Sequence, residues 1–331
     1  MDFNTGRWEL AYCMGFVDYS NNFKGFKFNR QRTKQQIDEL AALGMRWVMT
    51  GGINPLDGPE DAIKEIVEVG GQWLREAGLK MTSWHMAGPN FHRLERSQET
   101  AVANLLLNVR LFAPFKPKAI VMHAGWIWDT PEDIEQLPNS MFKHGECDRV
   151  LHMYAQEVAK HGQDAVIATL ASNMKVMARE AAKHDIRLAF ENMGDMMPVG
   201  GFDTLGKLVA AVDEPNVGYC LDSGHAWMRG EDPADWIRFM GRRLFETHFH
   251  DNRGGSNSGE PMHDADEHLP PGFGTIDWRR VIQALDEVGF PGPVTFESEG
   301  WKLPDRAEGF RHAMRYWRLL EQMALPNKAS V

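Results

Sequence analysis

Cysteine is scarce in this 331-residue chain: Cys13, Cys147 and Cys220 are widely spaced and form no CxxC. An odd number at such spacing supports neither a disulfide framework nor a thiolate zinc site, and it fits a reducing cytoplasm. Positive charge is also in short supply. Thirty-six Lys and Arg stand against 46 Asp and Glu, a formal net charge of −10. That balance argues against an extended basic footprint for nucleic acid and against an anionic membrane surface. No apolar run reaches the roughly 18 residues of a membrane span, and residues 1–9 lack the apolar stretch of a cleaved leader. A cytosolic protein is therefore expected. The chain also lacks a Pro/Gly/Ser-rich linker and a GxxxxGK phosphate cradle. With 43% hydrophobic and 25% charged residues, it is not a disordered chain and can bury a large core.

What is present is an alternation of short apolar runs with amphipathic helical stretches from one end to the other. Eight strand-like runs are read at Glu9–Phe16, Arg46–Gly51, Lys80–Met86, Ala119–Gly125, Arg187–Asn192, Val217–Asp222, Leu244–His250 and Pro293–Glu297. Helical patterns lie between them at Asp61–Ala77, Ser97–Leu111, Arg149–His184 (read as more than one helix), Thr204–Val212, Trp278–Val288 and Arg306–Met323. In the last, Phe310, Met314, Trp317 and Leu320 recur at helical spacing and read as a buried stripe. Gly44, Gly78 and Gly289 follow helical patterns as left-handed C-caps do. Eight βα units without a break in composition predict an α/β fold, a single (β/α)8 barrel over residues 1–331. Two long loops, Ile127–Cys147 after the fourth strand and Arg253–Thr275 after the seventh, fall at strand C-terminal ends, where barrel enzymes place their sites.

Ligand-type side chains stand at the ends of strands otherwise built for burial. They are His85 on the third strand, His123 on the fourth, Glu191 on the fifth, Asp222 on the sixth with His225 just beyond, His248 and His250 on the seventh, and Glu297 on the eighth. A single strand-end His or Glu is usually a hydrogen-bonded structural residue. Six aligned ends converging on one mouth are different, because buried carboxylates need a cation. Glu191, Asp222 and Glu297 are therefore expected to share a divalent metal, while His85 and His123 are either ligands or contacts to substrate or structure. Trp84, Trp126, Trp128 and Trp227 lie near strand ends, as sugar-stacking surfaces or as lids on the rim.

The ordered series Glu191-Asn192, Leu221-Asp222-Ser223-Gly224-His225, His248-Phe249-His250-Asp251, Asp266-Glu267-His268, Gly272-Phe273-Gly274-Thr275-Ile276-Asp277-Trp278 and Phe296-Glu297 resembles the xylose-isomerase-like TIM-barrel superfamily. That superfamily includes keto-sugar 3-epimerases, inosose dehydratases and endonuclease IV enzymes. The resemblance covers about residues 8–323. It implies Glu191, Asp222, His248 and Glu297 as metal ligands, with His248 preferred to His250 and Glu297 preferred to Glu299. It also implies a substrate contact at His225 and, by a shifted offset, at Arg253. His85, His123, Asp266 and His268 match positions that hold further zinc ions in the endonucleases. The resulting expectation is one divalent ion in a hard-to-borderline ligand set, Mn2+ before Co2+, Mg2+ or Zn2+.

In that reading Glu191 and Glu297 are acid and base in an enediolate isomerisation or epimerisation of a keto sugar, with His225 a third catalytic group. His85, His123, His250, Arg253, His268 and Trp126 are the substrate-binding candidates. The superfamily's epimerases carry a second Glu six residues after the strand-five ligand; Met197 stands here, which moves weight toward a lyase or dehydratase acting on a keto sugar or 3-keto glycoside. An endonuclease is disfavoured by the net charge. The expected partner is a small carbohydrate, not a membrane or nucleic acid, and a homo-oligomer or a second subunit closing the mouth stays open.

Overall fold

The computed structural model describes residues 5–19, 26–53, 60–86, 106–107, 109–124, 146–193, 199–254, 266–298 and 306–324. Its central sheet has eight parallel strands: β1 (Leu10–Met14), β2 (Trp47–Ile53), β3 (Lys80–Met86), β4 (Ala119–His123), β5 (Arg187–Glu191), β6 (Val217–Asp222), β7 (Leu244–His248) and β8 (Val294–Phe296). They lie side by side in the order β8-β1-β2-β3-β4-β5-β6-β7. The hoop closes between β7 and β8 through a Phe249–Phe296 bridge, in which Phe249 N donates to Thr295 O and Glu297 N donates to Phe249 O. The result is the predicted (β/α)8 barrel.

Parallel strands covered on both faces read as near-continuous apolar runs, and β6 is buried at every position. Inside the hoop, Ala119, Val121, Ala189 and Cys220 form a small-residue layer. Outside it, the strands pack on helices in one larger core, where the expected stripe of Phe310, Met314, Trp317 and Leu320 is buried. Trp317 meets Trp8, Phe249, Trp278 and Phe296 at ring separations of 5.7–6.2 Å. Gly44, Gly78 and Gly289 have φ of 76°, 71° and 67°, the left-handed caps the sequence predicts.

Several boundaries differ from expectation. The long pattern 149–184 divides into more than one helix, as expected, but starts earlier: its two helices are Glu146–His161 and Gln163–Ala182, broken at Gly162 with φ 85°. The second helical region is one run, 60–76, with a wider π turn at Ile66–Gly70. The 204–212 helix begins earlier, at Phe202. A short antiparallel pair, Val17–Tyr19 with Phe26–Phe28, was not expected. Most of the 97–111 pattern and of the loop after β4, and residues 255–265 of the loop after β7, lie outside the described residues. Among the described residues no helix is long and apolar enough to cross a membrane.

Candidate active site

Because β-strand side chains alternate, each strand end offers one inward-facing group to the barrel mouth. His85 from β3, His123 from β4 and Glu191 from β5 meet first. His85 Nε2 is 3.0 Å from Glu191 Oε2 and 3.1 Å from His123 Nε2. His123 Nε2 lies 3.3 Å from the same carboxylate oxygen. On the other side of Glu191, His248 Nδ1 is 3.3 Å from Glu191 Oε2 and 2.9 Å from Glu297 Oε2. Asp222 ends β6, and its Oδ1 caps the next helix by accepting from His225 N at 2.7 Å.

A second group lies beside the first. His250 Nε2 approaches Asp222 Oδ1 and Oδ2 at 3.0 Å. His225 Nε2 and His268 Nε2 approach Asp266 Oδ2 at 3.6 and 3.2 Å, and the His250 and His268 rings stack with centroids 3.9 Å apart. His268 has φ 46°, a left-handed backbone that is uncommon outside glycine and often found at functional sites. Asp251 holds this loop in place: fully buried, it accepts from Gly272 N, Ile276 N, Asn252 N and Trp278 Nε1 at 2.9–3.2 Å.

The donors fall into sets within each of which the ligand atoms lie within 4.8 Å of one another: Glu191, Asp222, His248 and Glu297; His85, His123 and again Glu191; and, sharing no residue with these, His225, His250, Asp266 and His268. Their chemistry fits divalent cations. Glu191 is 1% exposed and Asp222 is fully buried, so both need positive charge nearby. Both ring nitrogens of His248, together with His250 Nδ1 and Asp266 Oδ1, are buried without a hydrogen bond. The facing Nε2 atoms of His85 and His123 can share only one proton between them.

Electrostatics follow the same geometry. Burial works against ionisation of Glu191, but His248 and His123 outweigh it and hold the carboxyl well below the usual range. Burial likewise opposes the Glu297 charge, yet His248 brings its pKa down to about 2. Asp266 is depressed by His268 and His225 despite burial. Against burial, Asp222 and Asp266 push His225 up to about 10. His248 and His268 are also raised against burial, the first by Cys220, Glu297 and Glu191 and the second by Asp266. His123 goes the other way, because burial outweighs the pull of Glu191 and lowers its pKa.

The structure thus brings together Glu191, Asp222, His248, Glu297, His225, His85, His123, His250 and His268. Arg253 is not among them: its guanidinium pairs with Glu267 and its side chain is 64% exposed. Trp126, Trp128, Glu299 and Met197 lie outside the described residues. Trp84 is neither a stacking surface nor a lid. It is fully buried and stacks on Phe112, because it points outward between the inward-facing Ser83 and His85. Trp227 is half-buried on the rim and donates to Thr275 Oγ1 at 2.8 Å. Cys220, given no site role from sequence, groups with Glu191 and His248. Its position two residues before Asp222, on the same strand face, was the available signal.

Residues 37–320 match the family model described as xylose isomerase-like TIM barrel. The chain belongs to that family. Among its relatives, an uncharacterised protein of Methanocaldococcus jannaschii is 28% identical over 151 residues, 44% of this chain and 48% of that protein. A probable endonuclease 4 of Mycobacterium leprae is 30% identical over 176 residues, 50% of this chain and 68% of that protein. The chain thus spans about half to two thirds of the length of these relatives. Among solved structures, the IolI protein with a bound zinc atom superposes with a TM-score of 0.64 at 15% identity, covering 95% of this chain and 99% of that one. The 3-keto-D-glucoside 4-epimerase of E. coli gives 0.63 at 14% identity, covering 95% and 100%. At such identities the structures share the fold. The barrel is thus one that sugar epimerases also use, and in this chain it carries candidate metal-binding groups.

Proposed function

We propose that the protein is a divalent-metal-dependent isomerase or epimerase acting on a keto sugar or sugar derivative. The observation that carries this reading is the approach of Glu191 and Glu297, from β5 and β8, to the same buried nitrogen, His248 Nδ1, at 3.3 and 2.9 Å. Glu191, Asp222, His248 and Glu297 would hold the ion, with the oxygen-rich set favouring Mn2+. When bound, the ion supplies positive charge to a ketone oxygen and its neighbouring hydroxyl, which acidifies the carbon-bound proton. Both carboxylates are held ionised, so either can accept that proton. Because they reach the site from different strands, one can remove the proton and the other return it, inverting a centre or moving a carbonyl. His225, charged and fixed by Asp222 and Asp266, is placed to donate to a departing oxygen, which would turn the same first step into elimination. The substrate in either case is a small carbohydrate, and the scarcity of cysteine supports a cytoplasmic setting.

A second reading is favoured by the group His225, His250, Asp266 and His268, which with His85 and His123 could hold further ions and support phosphoester hydrolysis. The test is NMR in D2O of the Mn2+-loaded protein with ketoses, inososes and 3-keto glycosides, alongside an abasic DNA duplex. Proton exchange with an epimer or isomer supports the first reading, and exchange with loss of water or an aglycone makes the enzyme a lyase. Strand cleavage without exchange on any sugar replaces both with the nuclease. Glu191→Gln is expected to slow exchange by about 10²- to 10⁴-fold, and undiminished exchange would remove Glu191 from the mechanism.

A further inference from the structure

At the end of the barrel opposite the mouth, three neighbouring strands each begin with a cation. Lys80 opens β3, Lys118 immediately precedes β4, and Arg187 opens β5. Among the described residues none of the three has a carboxylate within 4 Å. They rest on aromatic rings instead. Lys118 Nζ lies 4.0 Å and Lys80 Nζ 5.5 Å from the Trp47 ring centroid, and Arg187 Cζ is 4.5 Å from that of Phe245. The nearby carboxylates are committed elsewhere. Glu9 accepts from Trp47 Nε1 at 2.8 Å and lies 3.8 Å from Arg46, and buried Glu246 accepts from Thr295 Oγ1 and Thr247 N at 2.6 and 3.0 Å. Phe245 can lie under Arg187 only because residue 218 is glycine, since a Cβ there would meet the Phe245 ring at 2.7 Å.

Ring faces orient cations without neutralising them, so like charges stay crowded on a floor where Lys118 and Arg187 are half-buried and Lys80 is exposed. Burial and the neighbouring Arg187 and Lys80 lower the pKa of Lys118, although Glu9 and Glu246 oppose them. Burial lowers the pKa of Arg187 as well, against the pull of Glu246 and Asp185, and in a chain of net charge −10 these three cations stand together with no ion pair within 4 Å among the described residues. We propose that this floor, formed by Lys80, Lys118 and Arg187 over Trp47 and Phe245, is a binding site for a phosphate-type oxyanion. The guanidinium fork of Arg187 suits two oxygens of such an anion and the lysines supply point charges. The site is separate from the proposed chemistry at the mouth and does not depend on it.

The test is calorimetric titration of the full chain with inorganic phosphate at constant ionic strength. Wild type is expected to show saturable binding with one phosphate per chain. Lys118→Met and Arg187→Met are each expected to weaken it at least tenfold, while Lys118→Arg and the remote Lys207→Met keep it. A parallel thermal melt of the wild type is expected to show a saturable rise in Tm with phosphate. Equal binding in wild type and both Met variants would place the anion elsewhere and overturn the proposal, as would no saturable binding in the wild type. Sulfate and a phosphorylated sugar, titrated in the same way, distinguish a free anion from one carried on an organic molecule. Should a Met variant fail to fold, Lys118→Ala is titrated in its place against the same expectation.

Discussion

At the scale of single residues, His250 owes its seat to the missing side chain at position 224, where a Cβ would fall 1.9 Å from His250 Cε1. Gly224→Ala must therefore displace the imidazole from its 3.0 Å contact with Asp222. The expected cost is about 1–3 kcal/mol in chemical denaturation; an unchanged midpoint would mean that the ring moves freely. Charge at the mouth gives a second expectation, for the metal-free protein. Glu191, Asp266 and Glu297 have lowered values, so their contribution is complete above about 4.5 and fades as pH falls toward about 2, where Glu297 titrates. His225, His248 and His268 have raised values, so their contribution is complete below 6.5 and fades as pH rises through about 10, where His225 titrates. Tm after chelation should be highest between these limits. An ion must displace the histidine protons, so its affinity should rise with pH and calorimetry in two buffers should register proton release. Sequence alone placed His248 and His250 on one strand face. The strand ends at His248, Phe249 bridges Phe296, and the two imidazoles, one step apart along that face, join different donor groups. Cys220 was overlooked because a small apolar side chain in a buried strand looks the same whether or not a ligand set lies beside it.

At the scale of elements, the decisive piece is the segment after β7. Asp251 gathers four N–H donors from residues 252–278, and its backbone exchanges hydrogen bonds with Leu269, so Asp266 and His268 are presented by a fixed turn. Asp251→Ala would strand several buried donors and is expected to cost about 3 kcal/mol or more. It should also weaken metal binding by the His225, His250, Asp266 and His268 group more than by the group on β5 to β8. Metal titrations monitored by histidine NMR shifts would separate the two, and equal weakening would deny Asp251 its local role. The strands were legible because parallel strands are apolar on both faces, and the ligand-bearing ends stood out against that background. That the 149–184 pattern holds more than one helix was legible from its length; the place of the break, at Gly162, was not, since the apolar pattern runs on through Val166, Ile167 and Leu170. Nor was the Val17–Tyr19 pairing with Phe26–Phe28, where three residues a side are too few for a period to register.

At the scale of the whole molecule, the last helix and the first described residues are fastened by a buried pair. Arg318 Nη1 donates to both Glu321 oxygens at 2.7 and 2.8 Å, and Trp317 Nε1, Arg7 N and Trp8 N also point at that carboxylate at 3.0–3.5 Å. Arg318 is 2% exposed, so Glu321→Gln takes the carboxylate charge out of a buried pair, at an expected cost of about 3–5 kcal/mol. Urea denaturation checks this, and a loss below about 1 kcal/mol would show that water reaches the guanidinium. The barrel's closure carries a further meaning. The joint between β7 and β8 runs through Phe249 and Phe296, and its immediate neighbours are His248 and Glu297. If the proposed ion is held by those two residues, it is a rivet through the seam of the hoop. Amide exchange at Phe249 and Glu297 should slow on loading far more than at Val121 or Ala189, deep in the wall. Catalytic readiness and mechanical tightness would then be one property, and a protein emptied of metal would breathe along the line where its chemistry is done.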